Sequence, residues 1–146
     1  MIDKKSDIRD NLMFFSWAVS VIASLGSLYF SEIRQFAPCE LCWYQRIIMY
    51  PLALILGIAV VKKDYNASLY SVVFSGLGIL VSLYHYLIQK IPVFANQVPA
   101  CGIVPCNGQY INWLGFITIP FLSLTAFMII FSTSTIVLKR SKEENR

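Results

Sequence analysis

Four stretches of this chain contain no Asp, Glu, Lys or Arg: residues 11–31, 47–61, 65–89 and 91–138. A helix that crosses a bilayer needs about 20 apolar residues. These runs predict helices over about 12–30, 43–61, 67–89 and 113–137, all in one membrane domain covering 1–146. Composition points the same way. Hydrophobic residues make up 57% of the 146 and charged residues 14%, against about 25% charged in an ordinary soluble domain. A chain this short buries only about 70% of the surface it exposes when unfolded, so it has no core large enough for so much apolar surface. Disorder is excluded as well, because it requires low hydrophobicity and high charge. Leu12–Phe30 is longer than a signal-peptide core of about 7–15 residues, and no clear small-residue cleavage site follows it, so it reads as a retained span.

The basic residues sort by loop. Nine of the twelve Lys and Arg lie in the N-terminal tail (Lys4, Lys5, Arg9), the middle connection (Lys62, Lys63) and the C-terminal tail (Lys139, Arg140, Lys142, Arg146). Positively charged loops stay in the cytoplasm. The fold expected is therefore an all-α, up-down-up-down four-helix transmembrane bundle in the cell membrane. Both termini would be cytoplasmic, and loops 31–42 and 90–112 would lie outside. Tyr29, Trp43, Tyr44, Tyr84, Tyr86, Tyr110 and Trp113 would form an aromatic belt on the outer side. The cations punctuate the chain and form no patch, which argues for membrane lipid as their surroundings and against nucleic acid. Small residues four apart (Ser20 with Ser24, Ala23 with Ser27, Ser71 with Ser75, Gly78 with Ser82) suit close helix contact in lipid. Pro51 and Pro120 are each expected to bend a helix, since proline removes a hydrogen bond there.

All four cysteines fall in the two outer loops, as Cys39-Glu-Leu-Cys42 and Cys101-Gly-Ile-Val-Pro-Cys106. Thiols in an oxidising compartment argue for disulfide chemistry. Two static loop disulfides are one reading, but a ring as small as Cys-x-x-Cys stabilises little. A four-cysteine zinc site is another. The pairs are too far apart for the usual ribbon spacing, and no metal site is expected. Trp43 follows Cys42 where attached haem would require His. A relay of two dithiol pairs, passing electrons by thiolate attack on a disulfide, uses both motifs.

Arg46 lies four residues after Cys42, on the same helix face. A cation near the apolar zone marks a function by default and lowers the pKa of a neighbouring thiol. Snorkelling to lipid phosphate is the plainer alternative. His85 and Gln89, again four apart, end the third helix at the same depth, although an interfacial histidine bonded to a neighbour would look the same. Together these three would offer donors to a flat apolar acceptor with two carbonyl oxygens, such as a quinone. The second outer loop carries no charge between Ile91 and Asn112, and its Phe94 belongs to an expected apolar docking surface.

With these residues the chain resembles the DsbB family of bacterial disulfide-bond-formation membrane proteins. The segment Cys39-Glu-Leu-Cys42-Trp-Tyr-Gln-Arg46, the second cysteine pair, His85-x-x-x-Gln89 and the stretch from Asn112 to Pro120 carry the likeness. It is nearest to the shorter Gram-positive-type members and covers about residues 10–138. The resemblance implies a thiol:quinone oxidoreductase that reoxidises an extracytoplasmic thioredoxin-fold thiol oxidase, a DsbA-like partner. In that scheme the partner attacks the Cys101–Cys106 disulfide at Cys101. Cys106 then attacks Cys39 of the Cys39–Cys42 disulfide, and Cys42 donates to a menaquinone or ubiquinone. Arg46 would steady the Cys42 thiolate, while His85 and Gln89 would line the quinone site. Two features depart from many members: a second pair only four residues apart, and Gln45 where some carry an acid beside the arginine. Relatives of vitamin K epoxide reductase also combine four helices with a Cys-x-x-Cys, but place the motif in a later helix. A non-catalytic scaffold with structural loop disulfides is the alternative from outside the enzymes.

Overall fold

The computed structural model describes residues 2–91, 93, 103–104, 114–115 and 117–146. Cys101, Cys106, Phe94, Tyr110 and Trp113 lie outside the described residues. Among the described residues there are four long helices: α1 (Ile2–Leu28), α2 (Glu40–Lys62), α3 (Ser68–Lys90) and α4 (Ile119–Glu144). All four helical segments are long and apolar enough to cross a membrane. Each helix packs on its neighbours in sequence, and α1 closes the ring against α4. The protein is thus an all-α, multi-pass membrane bundle of four helices.

The helix ends differ from the apolar runs for physical reasons. α1 begins at Ile2, well before position 12, because a helix need not stop where its residues become charged. At its far end a π-helical turn, Tyr29–Ile33, widens the last coil. The chain then doubles back, and Phe36 stacks on Phe30 with centroids 6.2 Å apart. α4 starts at Ile119 rather than near 113. Leu114 and Gly115 have φ of 54° and 81°, a left-handed backbone that no α-helix can contain. The late start corrects the expectation for Pro120. This proline stands in the first turn of α4, where its missing N–H breaks no bond and causes no bend. Pro51 does lie inside a helix, α2.

The bundle buries small and polar residues and turns large apolar ones outward. On α3 the inward stripe runs Ser68, Ser71, Ser75, Gly78, Ser82, His85 and Ile88. Ile22, Leu54, Val61 and Leu80 are each at least 65% exposed. Lipid is as apolar as leucine, so helices associate through close backbone approach and hydrogen bonds. Gly78 shows how close: a Cβ there would stand 2.4 Å from the Phe127 ring of α4. Phe127 packs with Met49, Leu52, Leu56, Ala126 and Ile130 at the centre. Interhelical bonds such as Ser16 to Thr133 (2.6 Å) and Ser82 to Ser123 (3.2 Å) each add about 0.6 kcal/mol in a membrane setting.

Both chain ends and the Lys62–Ser68 connection meet at one end of the bundle. Arg9 pairs with Glu144 there, and Lys63 with Asp10 at 2.9 Å. The Cys39–Cys42 motif lies at the opposite end, with Tyr29, Trp43, Tyr44 and Tyr84 exposed.

Candidate functional site

Cys39 is the N-cap of α2, in extended conformation, and its carbonyl accepts the Trp43 N–H at 3.1 Å. Cys42 therefore lies in the first turn, where the helix dipole favours negative charge. The two sulfurs are thiols 3.3 Å apart, with Cys39 donating to Cys42. Cys39 is buried at 6% exposure, and Cys42 is more open. The bond it donates to Cys42, reinforced by burial, pushes the Cys39 thiol from 9.0 up to about 12. Cys39 thus keeps its proton and holds it towards Cys42.

His85 reaches this pair from α3. Its Nε2 is 3.6 Å from Cys39 Sγ, and its Nδ1 is 3.2 Å from Gln45 Nε2. The Gln45 carbonyl oxygen accepts from Ser123 Oγ of α4 at 3.0 Å, and Ser123 also meets Ser82 of α3. A neutral chain of hydrogen bonds thus runs from Cys39 through His85, Gln45 and Ser123, binding three helices together and fixing the imidazole plane. Arg46 is drawn inward by α1. Its Nε donates to Ser27 Oγ and its Nη2 to the Ser27 carbonyl, each at 2.7 Å, and its guanidinium stands 5.5 Å from the Trp43 ring centre. A buried arginine paired with a backbone carbonyl is the arrangement that makes a charge tolerable at membrane depth.

These groups face a cavity of about 450 Å³ between α1, α2 and α4. Cys39, Cys42, Arg46, His85 and Gln89 all line it, and most of the remaining wall is apolar. The five described residues singled out from sequence therefore converge on one space. The sequence reading gave Ser27 only as a packing residue, did not single out Tyr50, Thr118 or Ser123 for the site, and noted Gln45 only as a departure from a pattern. Tyr50 Oη and Thr118 Oγ1 are buried in this wall and have no hydrogen-bond partner among the described residues. One signal did exist: Gln45 follows Cys42 by three, and Ser82 precedes His85 by three. Helical spacing puts each of them on the same face as its neighbour.

The family model for "Disulfide bond formation protein DsbB" matches residues 9–137. The chain is 61% identical over 130 residues to the "Probable disulfide formation protein C" of Halalkalibacterium halodurans, covering 89% of this chain and 95% of that protein. It is 59% identical over 131 residues to "Probable disulfide formation protein C 1" of Bacillus anthracis, covering 90% and 94%. It is 58% identical over 118 residues to "Disulfide bond formation protein C" of Bacillus subtilis (strain 168), covering 81% and 86%. No solved structure matches the chain.

Proposed function

This chain belongs to the DsbB family of disulfide bond formation proteins and is a membrane thiol oxidoreductase; we propose that it reoxidises an extracytoplasmic thioredoxin-fold dithiol and passes the electrons to a membrane quinone. The observation that carries this reading is the cavity beside the thiols. It is of small-molecule size, chiefly apolar, and walled by Arg46, His85 and Gln89. The buried hydroxyls of Tyr50 and Thr118 enter it with no partner among the described residues. Burying a hydroxyl without a hydrogen bond costs about 1–3 kcal/mol. A ligand with two acceptor oxygens on a flat apolar body removes that cost, so the residues fit a quinone. When bound there, a quinone supplies a sink for two electrons and two protons.

The rest follows from the chain's own groups. Cys101 and Cys106 take the partner's electrons by thiol–disulfide exchange, the partner leaving as a disulfide. The resulting dithiol exchanges with the Cys39–Cys42 disulfide, leaving these two reduced as they stand in the structure. Arg46 and the first turn of α2 share the cavity wall with Cys42, while Cys39 donates its S–H to Cys42 and stands 3.6 Å from His85 Nε2. Arg46, Gln89, Tyr50 and Thr118 orient the acceptor. The cysteine loops face the extracytoplasmic side in this reading, which the distribution of lysine and arginine supports.

The test is direct. Purified protein receives a reduced thioredoxin-fold dithiol together with ubiquinone or menaquinone, and quinone absorbance is followed. Absorbance should fall with one quinone consumed per disulfide formed, and Cys42→Ser should stop it. Partner oxidation that proceeds equally well without quinone would overturn the assignment of the acceptor.

A further inference from the structure

We propose that the reduced Cys39–Cys42 pair together with His85 forms a site for a thiophilic divalent cation of the zinc class, open only while the pair is reduced. The ligand atoms of the three residues all lie within 4.8 Å of one another. Tetrahedral zinc, with bonds of about 2.3 Å to sulfur and about 2.0–2.1 Å to imidazole nitrogen, has S···S edges of about 3.8 Å and S···N edges of about 3.6 Å. The Cys39 to His85 separation, 3.6 Å, already equals the second. The Cys39 to Cys42 separation, 3.3 Å, falls about half an ångström short of the first, and the Cys42 to His85 edge is no longer than 4.8 Å; closing on a cation requires the more open Cys42 side chain to turn away from Cys39 and towards His85.

The surroundings support His85 as a ligand. A metal-bound histidine donates its other ring N–H to a partner that fixes its plane. Gln45 already stands 3.2 Å from Nδ1 and is itself anchored on Ser123. With the Gln45 amide turned over, its oxygen accepts from Nδ1 and its nitrogen donates to Ser123. Two thiolates and one imidazole leave the fourth position open to the cavity, the pattern of an accessible zinc site.

Binding moves no electrons. Two thiol protons leave, two sulfur–metal bonds and one nitrogen–metal bond form, and release of the cation restores the dithiol. In the disulfide both sulfurs are spent on each other, so the oxidised protein has no site. The cation therefore captures the enzyme at its most reduced point and holds it there as a reversible brake on turnover. The sequence hid this site because its spacing suggested only a four-cysteine arrangement between loops, whereas the third ligand comes from α3.

The experiment uses the full chain in detergent micelles, free of quinone, reduced with a phosphine and desalted without oxygen. Cobalt(II) serves as the spectroscopic probe and zinc as its competitor. One equivalent of cobalt should bind, with thiolate charge-transfer bands and the visible bands of a tetrahedral ion, and zinc should displace it. Oxidation of the same sample with diamide should abolish binding without any substitution, and re-reduction should restore it. His85→Ala should weaken binding at least about tenfold, with helicity checked by circular dichroism. The double variant Cys101→Ser/Cys106→Ser should bind as the wild type does. Failure of the reduced wild type to bind, equal binding after oxidation, or loss of binding in the loop double variant would each overturn the proposal. None of these results bears on quinone use, since no quinone is present.

Discussion

The two ends of the bundle are built from different interactions. At the end where the chain termini meet, charges do the fastening. Arg9 pairs with Glu144 and stands 4.2 Å from the Tyr65 ring centre. Asp10 accepts from Tyr65 at 2.7 Å and pairs with Lys63. At the thiol end, Arg46 is the one fully charged type among the described cavity residues, and its donors go to Ser27. The remaining links are neutral, from Cys39 through His85 and Gln45 to Ser123. Lys63 and Glu144 are open to solvent while Arg9 is buried, and ion pairs with an exposed partner are weakened by water, so they join the tails at the bundle's rim. A neutral network in a less polar setting carries no large desolvation cost and makes each bond count. It positions sulfur and imidazole while the cavity beside them stays open.

Substitutions at each end should separate these two roles. The largest effect is expected from Cys42→Ser, which should reduce thiol-driven quinone reduction to background while leaving thermal unfolding nearly unchanged. A variant that retains turnover would move the chemistry away from this end. Next comes the packing that holds both ends in register. Gly78→Ala would drive a methyl group into the Phe127 ring and should destabilise the bundle by about 1–3 kcal/mol, read from thermal unfolding in detergent. Gln45→Leu should cost a similar or smaller amount, about 1–3 kcal/mol, because it removes the amide nitrogen that stands 3.2 Å from His85 Nδ1 and the oxygen that accepts from Ser123. It should also slow turnover.

A smaller, pH-dependent effect concerns Cys39. Its pKa is raised to about 12, so the protonated form is the one the fold favours. As pH rises through the ordinary thiol range, near about 8.5, Cys39 should stay protonated and resist alkylation while the more open Cys42 is labelled. Mass spectrometry of the reduced protein after a pH series of labelling gives the order, and early labelling of Cys39 would contradict the bond it donates. The smallest effect is expected at the charged end. Glu144 is half exposed, and Gln there still offers the buried Arg9 an acceptor, so Glu144→Gln should cost less than about 1 kcal/mol and leave turnover unchanged. A large loss of activity there would mean that the two ends are coupled.

Much of the fold was legible because hydrophobicity is a sum along the chain. Four uncharged runs are enough to specify four helices, and small residues at four-residue spacing mark the faces that can approach. What that sum misses is where a helix stops. The charged turns of α1 before Asn11 belong to the same helix, and the late start of α4 depends on two left-handed residues. Pro120, read as a kink, became the opening of a helix for that reason alone. The site was legible only in part. Cys39, Cys42 and Arg46 share one motif, and His85 and Gln89 share one helix face. Nothing local, however, tied the first group to the second.

The sequence by itself determined a four-helix membrane protein with a Cys-x-x-Cys at the mouth of the second helix, since both properties reside in neighbouring residues. The tertiary structure decided which groups touch. It brought His85 to Cys39 across 46 positions and Ser123 to Gln45 across 78, and it tied Arg46 to Ser27. Hydrogen bonds require agreement to a few tenths of an ångström, and that agreement is set by how closely the small-residue faces allow the helices to approach. Gly78 against Phe127 fixes such an approach between α3 and α4, the helices that carry His85 and Ser123.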